Sequence, residues 1–289
     1  MIINWKDHDL SIPIYDYELN MIHFESQRWY QLWNEPMLRF VKQVKSDIGL
    51  EMEICTENGK TIKSSQILYL SAINQDVILQ RSLQKLVHAK MANVIEKDPA
   101  FFAIYEQITS LLYQLFHSGN FEDVLKDFEL EFSVDQLTLL NLLEMVPFEL
   151  ESKVGENWEV HSRNLKETLI SLHVESNPDC QLIILDYPEY RMSIREKQRF
   201  IEFLHQLSIT IVVVTSDFHF MKAVTELEHL QIVSDLGELY PISEVIHEQQ
   251  LFYSNREHVL EKMIAQVLGV ISFYSMKEKK TLESVLKQL

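Results

Sequence analysis

The sequence predicts a mixed α/β protein whose head resembles a phosphate-loop ATPase domain without the loop. Three observations carry that reading. Gln181-Leu182-Ile183-Ile184-Leu185-Asp186 is an apolar run ended by a carboxylate; in nucleotide-hydrolysing domains such a strand sets its Asp at the sheet edge, where it holds Mg²⁺ through water. The strand at 182–185, a helix over 194–207 and a strand at 209–214 form a β-α-β unit. Both strands are apolar throughout, as strands buried on two faces are. The phosphate-cradling partner would be Gly-x-x-x-x-Gly-Lys-Ser/Thr, whose backbone N–H groups wrap the phosphates. Its one candidate is Gly59-Lys60-Thr61, and Ile54 stands where the first glycine belongs.

The elements follow in order. Residues 2–5, 12–15 and 21–24 read as short strands. From 27 to 45 the apolar residues recur at helical spacing, with Pro36 expected to kink or restart the helix. Residues 51–55 and 60–70 flank Asn58-Gly59, a strong hairpin signal because both residues tolerate positive φ. A long helix is predicted over 76–97, with Leu79, Leu83, Leu86, Val87, Val94 and Ile95 as its apolar stripe. Asp98-Pro99 breaks it and opens a second helix reaching about His117. Together they make a helical hairpin about 30 Å long. Ser133-x-x-Gln136 and Ser193-x-x-Glu196 fit capping boxes that start helices near 134 and 194. A helix over 162–173, short strands at 231–234 and 238–242, and a final helical region capped by Ser254 complete the chain.

With 289 residues, 46% of them hydrophobic and 24% charged, the chain has the make-up of an ordinary globular protein of one or two domains. The N-terminal residues lack the basic and apolar regions of a secretory leader, and no apolar run approaches the roughly 20 residues of a membrane span. Cys55 and Cys180 are isolated, so no disulfide framework or CxxC metal motif is expected. A cytoplasmic protein with no membrane partner is the expectation. The net charge of −17 argues at first against nucleic acid, but the charge is uneven. Residues 39–97 hold nine Lys/Arg against six Asp/Glu, whereas 98–189 hold four against eighteen. Net charge says little about one face of so polarised a chain.

Several clusters could carry chemistry. Arg81, Lys85 and His88 share a helical face, with Lys42, Lys45, Lys60 and Lys63 nearby in the sequence. Arg191, Arg195, Lys197 and Arg199 form a second basic cluster, Arg195 and Arg199 on one face. Each is either a solvated surface or a row of phosphate contacts. Asp127-Phe128-Glu129-Leu130-Glu131-Phe132 alternates acid and apolar, which in an extended chain sets carboxylates about 7 Å apart on one side. With Asp135 nearby, this is either a solvated acidic edge or a site for a hard cation such as Ca²⁺. The eleven histidines show no HExxH or HxH spacing. Asp217-Phe218-His219 lacks the serine elbow of a triad. Trp5, Trp29, Trp33 and Trp158 read as core residues, and Asp186 alone could simply end its strand.

The order of these segments resembles one family, the accessory spacer-acquisition (adaptation) protein of type II-A CRISPR–Cas systems. The resemblance runs through Asn4-Trp5, then Ile12 to Ile14, and Thr61-Ile62-Lys63-Ser64-Ser65-Gln66-Ile67-Leu68. It continues through the two long helices, Phe128-Glu129-Leu130-Glu131-Phe132, Asp135-Gln136-Leu137-Thr138-Leu139-Leu140, Leu182 to Asp186, and Ser208 to Val214. It covers about residues 1–245. It implies an α/β head at 1–75 and 157–245, an inserted helical leg at 76–156, and a helical C-terminal extension at 246–289. It also implies a non-enzymatic homotetrameric ring that takes ends of double-stranded DNA into a basic channel during spacer acquisition in antiviral defence. Such a ring would work beside the integrase complex and effector nuclease of the same system. Calcium held by acidic residues near the head–leg junction belongs to that picture, and the matching residues here are Asp127, Glu129, Glu131 and Asp135. No nucleotide is implied. The alternative is a divergent ATPase or GTPase using Asp186 for Mg²⁺.

Overall fold

The computed structural model describes residues 1–42, 52–71, 76–117, 138–145, 157–240 and 264. Two compact units divide the chain, one formed by Met1–Asn74, Asn157–Arg163 and Asp179–Leu289, the other by Gln75–Glu156 and Asn164–Pro178. Residues 164–178, assigned to the head from sequence, thus group with the second unit.

The first unit holds two sheets. Strands β1 (Ile2–Trp5), β2 (Leu10–Pro13) and β4 (Met52–Cys55) form an antiparallel sheet of order β2-β1-β4. Strands β3 (Leu19–Phe24), β5 (Ile67–Ser71), β6 (Leu182–Asp186), β7 (Thr210–Val214) and β8 (Leu230–Val233) form a five-stranded sheet of order β5-β6-β7-β3-β8. All of its pairings are parallel. β6 and β7 are buried at every position, which explains why their sequences are apolar without alternation. On one face, Ile22, Phe24, Leu182, Ile184, Val212 and Val214 join Ile3, Ile12, Ile54, Trp5 and Trp33 in a single core. Helix α1 (Gln27–Val41) lays Tyr30, Trp33, Met37 and Phe40 into it. On the other face Ile183, Leu185, Ile211 and Val213 are equally buried. So are Phe200 of α6 (Ile194–His205) and Phe220 of α7 (Phe218–Met221), whose rings lie 6.4 Å apart.

The described part of the second unit is helical: α2 (Asp76–Lys97), α3 (Pro99–Phe116), α4 (Leu139–Glu144) and the larger part of α5 (Trp158–Ser176). Asp98 caps α3, accepting from Ala100 N–H at 2.9 Å, with Pro99 in the first turn as the sequence suggests.

Several expectations need correction. α1 ends at Val41 rather than 45, and Pro36 lies inside it. Packing of Trp33, Met37 and Phe40 on both sides of Pro36 holds the helix through the lost hydrogen bond. His88 is buried rather than presented with Arg81 and Lys85, while Val94, assigned to the stripe, is 56% exposed. Leu79 and Leu83 are buried near one end of α2, His88 and Ala92 farther along on the far side of the helix. α2 is therefore covered on different sides along its length, which one stripe does not describe. Trp158 is 57% exposed and is no core residue. Of the predicted strand at 238–242, the described residues 238–240 show an isolated bridge between Val233 and Leu239. The predicted helix start at 134, Lys45, the acidic residues 127–135 and the extension at 246–289 (Ile264 apart) lie outside the described residues.

Candidate functional site

Ligands of open parallel sheets bind beyond the carboxyl ends of the strands, and here that edge gathers the polar groups of the head. Ser71, Asp186 and Val214 end β5, β6 and β7 in register. Three hydroxyls converge on Asp186 Oδ2. Tyr30 donates at 2.8 Å and Ser71 at 2.8 Å. The Tyr69 hydroxyl lies 3.2 Å away and shares its one proton with Asn34 Oδ1 at 2.9 Å. Asp186 is 1% exposed, and its Oδ1 has no hydrogen-bond partner among the described residues. Burial raises its pKa above the ordinary carboxylate value, and the three hydroxyls pull the other way. Burial, with the negative charge of Asp186 adding to it, likewise pushes the Tyr30 and Tyr69 phenols up.

A second carboxyl stands three residues on. Glu189 Oε1 accepts from Thr215 Oγ1 at 2.7 Å, and its Oε2 is shut off from solvent with no partner among the described residues. Burial pushes Glu189 up to about 7. Thr215 O lies 3.0 Å from His23 Nδ1, and burial lowers the pKa of that imidazole. Asp217 is not part of a triad. It caps α7, accepting from His219 N–H at 3.0 Å and Phe220 N–H at 3.3 Å, and it pairs with Lys197.

A phosphate loop would have to lie between a parallel strand and the helix after it. Among the described residues only Glu25 and Ser26 separate β3 from α1, and Ser26 is already the helix cap. No glycine occurs in that junction or in the ones after β5, β6 and β7. Gly59-Lys60-Thr61 is instead a turn. Gly59 has φ 74°, its N–H donates to Thr56 O at 2.9 Å, and Thr56 N–H donates to Lys60 O at 2.9 Å.

The sequence-predicted basic residues are placed as follows. Lys42 ends α1, Lys60 and Lys63 lie on or just after the turn, and Arg195 and Arg199 lie on α6, all exposed and in the first unit. Arg81 and Lys85 are exposed on α2 in the second unit. Arg199 lies 3.3 Å from Glu196, which also pairs with Arg163 at 2.5 Å. Among the described residues no three His, Cys, Asp or Glu side chains come together to hold a metal. Asp186 was visible in the sequence as the end of an apolar run, whereas Glu189, three residues on, was missed. Tyr30, Tyr69, Ser71 and Thr215 had no such signal, because only the sheet topology brings them to these carboxyls.

The fold and this edge define a mixed α/β protein with a five-stranded parallel sheet whose carboxyl edge carries a buried, hydroxyl-bound carboxylate. Stu0660 of Streptococcus thermophilus has a solved structure that aligns over 99% of this chain and 100% of its own, at 15% identity and a TM-score of 0.64. At that identity the likeness shows the fold. Two ATP-binding cassettes of ABC transporters, a nucleotide-free one and MJ1267 in its ADP conformation, align less well. They match 80% and 83% of this chain and 82% and 87% of their own, at 13% identity, with TM-scores of 0.41 and 0.42. No family model and no curated protein matches the chain. No described helix is long and apolar enough to cross a membrane.

Proposed function

We propose that the protein is a non-enzymatic binder of double-stranded DNA ends that acts in CRISPR spacer acquisition as a cytoplasmic homotetrameric ring. The observation that carries the non-enzymatic part is the occupation of Asp186. A carboxylate that is to hold hydrated Mg²⁺ must be open to water. This one is buried, and its Oδ2 is met by the hydroxyls of Tyr30, Tyr69 and Ser71. The two-residue junction before α1 also leaves no room for a phosphate loop. Both features count against the alternative of a divergent ATPase or GTPase.

The DNA part rests on the family resemblance together with the exposed basic residues Lys42, Lys60, Lys63, Arg81, Lys85, Arg195 and Arg199. Calcium is proposed on the resemblance, with Asp127, Glu129, Glu131 and Asp135 as its ligands. The integrase complex and effector nuclease are proposed partners on the same ground. One pair of titrations tests the reading. Linear duplex should bind irrespective of sequence and lose affinity steeply with salt, because each neutralised phosphate releases counterions. Calorimetry with Mg-ATP should show no saturable micromolar isotherm. Micromolar ATP binding, or no affinity for duplex at low salt, would overturn the proposal.

A further inference from the structure

Two residues that are not glycine hold left-handed backbone in the loop from β6 to α6, residues 187–193. Tyr187 has φ 48° and Arg191 has φ 61°, unfavourable for any residue with a Cβ. Strain of this kind persists only where the surroundings enforce it. Glu189 sits midway between the two, and its side chain ties the loop to the sheet. Thr215 Oγ1, next after β7, donates to Glu189 Oε1 at 2.7 Å. Within the loop, Met192 N–H donates to Glu189 O at 3.0 Å and Tyr190 N–H to Tyr187 O at 3.2 Å.

The seat of Glu189 suits a neutral acid better than an anion. Its Oε2 is shut off from solvent and has no hydrogen-bond partner among the described residues. Of the groups around it, Asp217 at the start of α7 repels a charge there, and Lys197 of α6 is paired with Asp217. Asp186 ends β6 three residues back. From β3, the imidazole of His23 lies 3.0 Å from Thr215 O, and burial favours its neutral form. Burial therefore pushes Glu189 up to about 7, with Asp217 adding to the rise and Thr215 and nearby backbone N–H groups opposing it.

We propose that Glu189 is a pH-sensitive latch: uncharged, it seats the strained loop against the sheet, and its ionisation favours a state in which residues 187–193 open and the carboxylate meets water. The latch is independent of the proposed DNA binding. Strain makes the opening local. Return of Tyr187 and Arg191 to ordinary backbone favours release of this segment over unfolding of β6 and β7, which are buried at every position. In the open loop Glu189 has its ordinary value of 4.5, and in the closed loop about 7. Below 4.5 both forms are protonated and opening does not depend on pH. Between 4.5 and 7 the open form alone has lost its proton, so each rise of one pH unit favours opening about tenfold. Above 7 both forms are ionised, and the gain levels off at about 300-fold.

Amide hydrogen exchange of the full chain tests this, corrected for the intrinsic pH dependence of exchange and run where it reports the opening equilibrium. The reporters are the amides of Tyr190 and Met192, both hydrogen-bonded in the closed loop. Their protection should fall by about 300-fold between pH 4.5 and pH 7.5. The amides of Ile183 and Ile184 in β6 should stay far more protected throughout. Glu189→Gln keeps an acceptor for Thr215 and cannot ionise, so its reporters should hold constant protection over the same range. Flat protection in the wild type overturns the latch whatever the variant does. So does an equal slope in Glu189→Gln, which would assign the titration to another group such as His23. Reporters that exchange in step with Ile183 and Ile184 would mean unfolding of the sheet, and they overturn the local opening.

Discussion

Glu189 holds a proton in the folded chain over a pH range in which the unfolded chain has lost it. Its ordinary value is 4.5, and burial pushes it up to about 7. Below about 4.5 both states are protonated and the group leaves stability independent of pH. Between 4.5 and 7 the folded state binds more protons, so stability falls as pH rises, and above 7 the loss is complete. The shift corresponds to a loss of about 3 kcal/mol at most. Glu189→Gln keeps an acceptor for Thr215 and removes the titration. Its melting temperature should exceed that of the wild type at pH 8 and vary less between pH 5 and pH 8. Parallel slopes for the two proteins in urea or thermal melts would show that Glu189 does not titrate in this window. At this scale the sequence exposed a single residue of the site. Asp186 stands out at the end of its strand, but Tyr30 is 156 positions and Tyr69 117 positions from it. Neither lies in a motif. A hydroxyl aimed at a carboxylate over that separation is a product of strand order, which residue types do not encode locally.

Among the elements, the turns were the most legible and the faces of α2 the least. Asn58-Gly59 reads as a hairpin turn because the backbone conformation is a local matter, and Gly59 duly adopts positive φ with open space where a side chain would go. Gly237 differs. It has φ 84°, and an added Cβ would lie 2.1 Å from the Trp29 ring. Trp29 Nε1 donates to Asp235 O at 2.9 Å, so ring and turn are fixed together. Gly237→Ala should therefore lower stability by about 2 kcal/mol or more, from backbone strain and overpacking together. Gly59→Ala should cost only the backbone part, about 1 kcal/mol. Denaturant midpoints of the two variants check this, and equal losses would mean that the Trp29 contact yields freely. α2 resisted reading for the opposite reason. A single stripe is expected of a helix packed on one side, whereas His88 and Ala92 are buried on a different side from Leu79 and Leu83.

For the whole molecule the proposed ring makes a demand that electrostatics alone does not. Phosphate contacts would hold a duplex wherever it touched a basic surface, and linear and circular DNA would then bind alike. A closed ring admits DNA only by an end. One plasmid should therefore bind well after a single double-strand cut and poorly as a covalently closed circle. The proposed calcium enters through the carboxylates of Asp127, Glu129, Glu131 and Asp135, which repel one another when no cation screens them. If those ions hold the ring closed, a chelator should reduce the oligomer mass and abolish discrimination between cut and closed plasmid together, and added calcium should restore both. Gel shifts beside light-scattering masses, with and without chelator, read the two quantities on one sample. Equal binding of cut and closed DNA before chelation would mean that the protein grips the duplex from the side. Loss of mass with discrimination intact would separate the calcium from the ring.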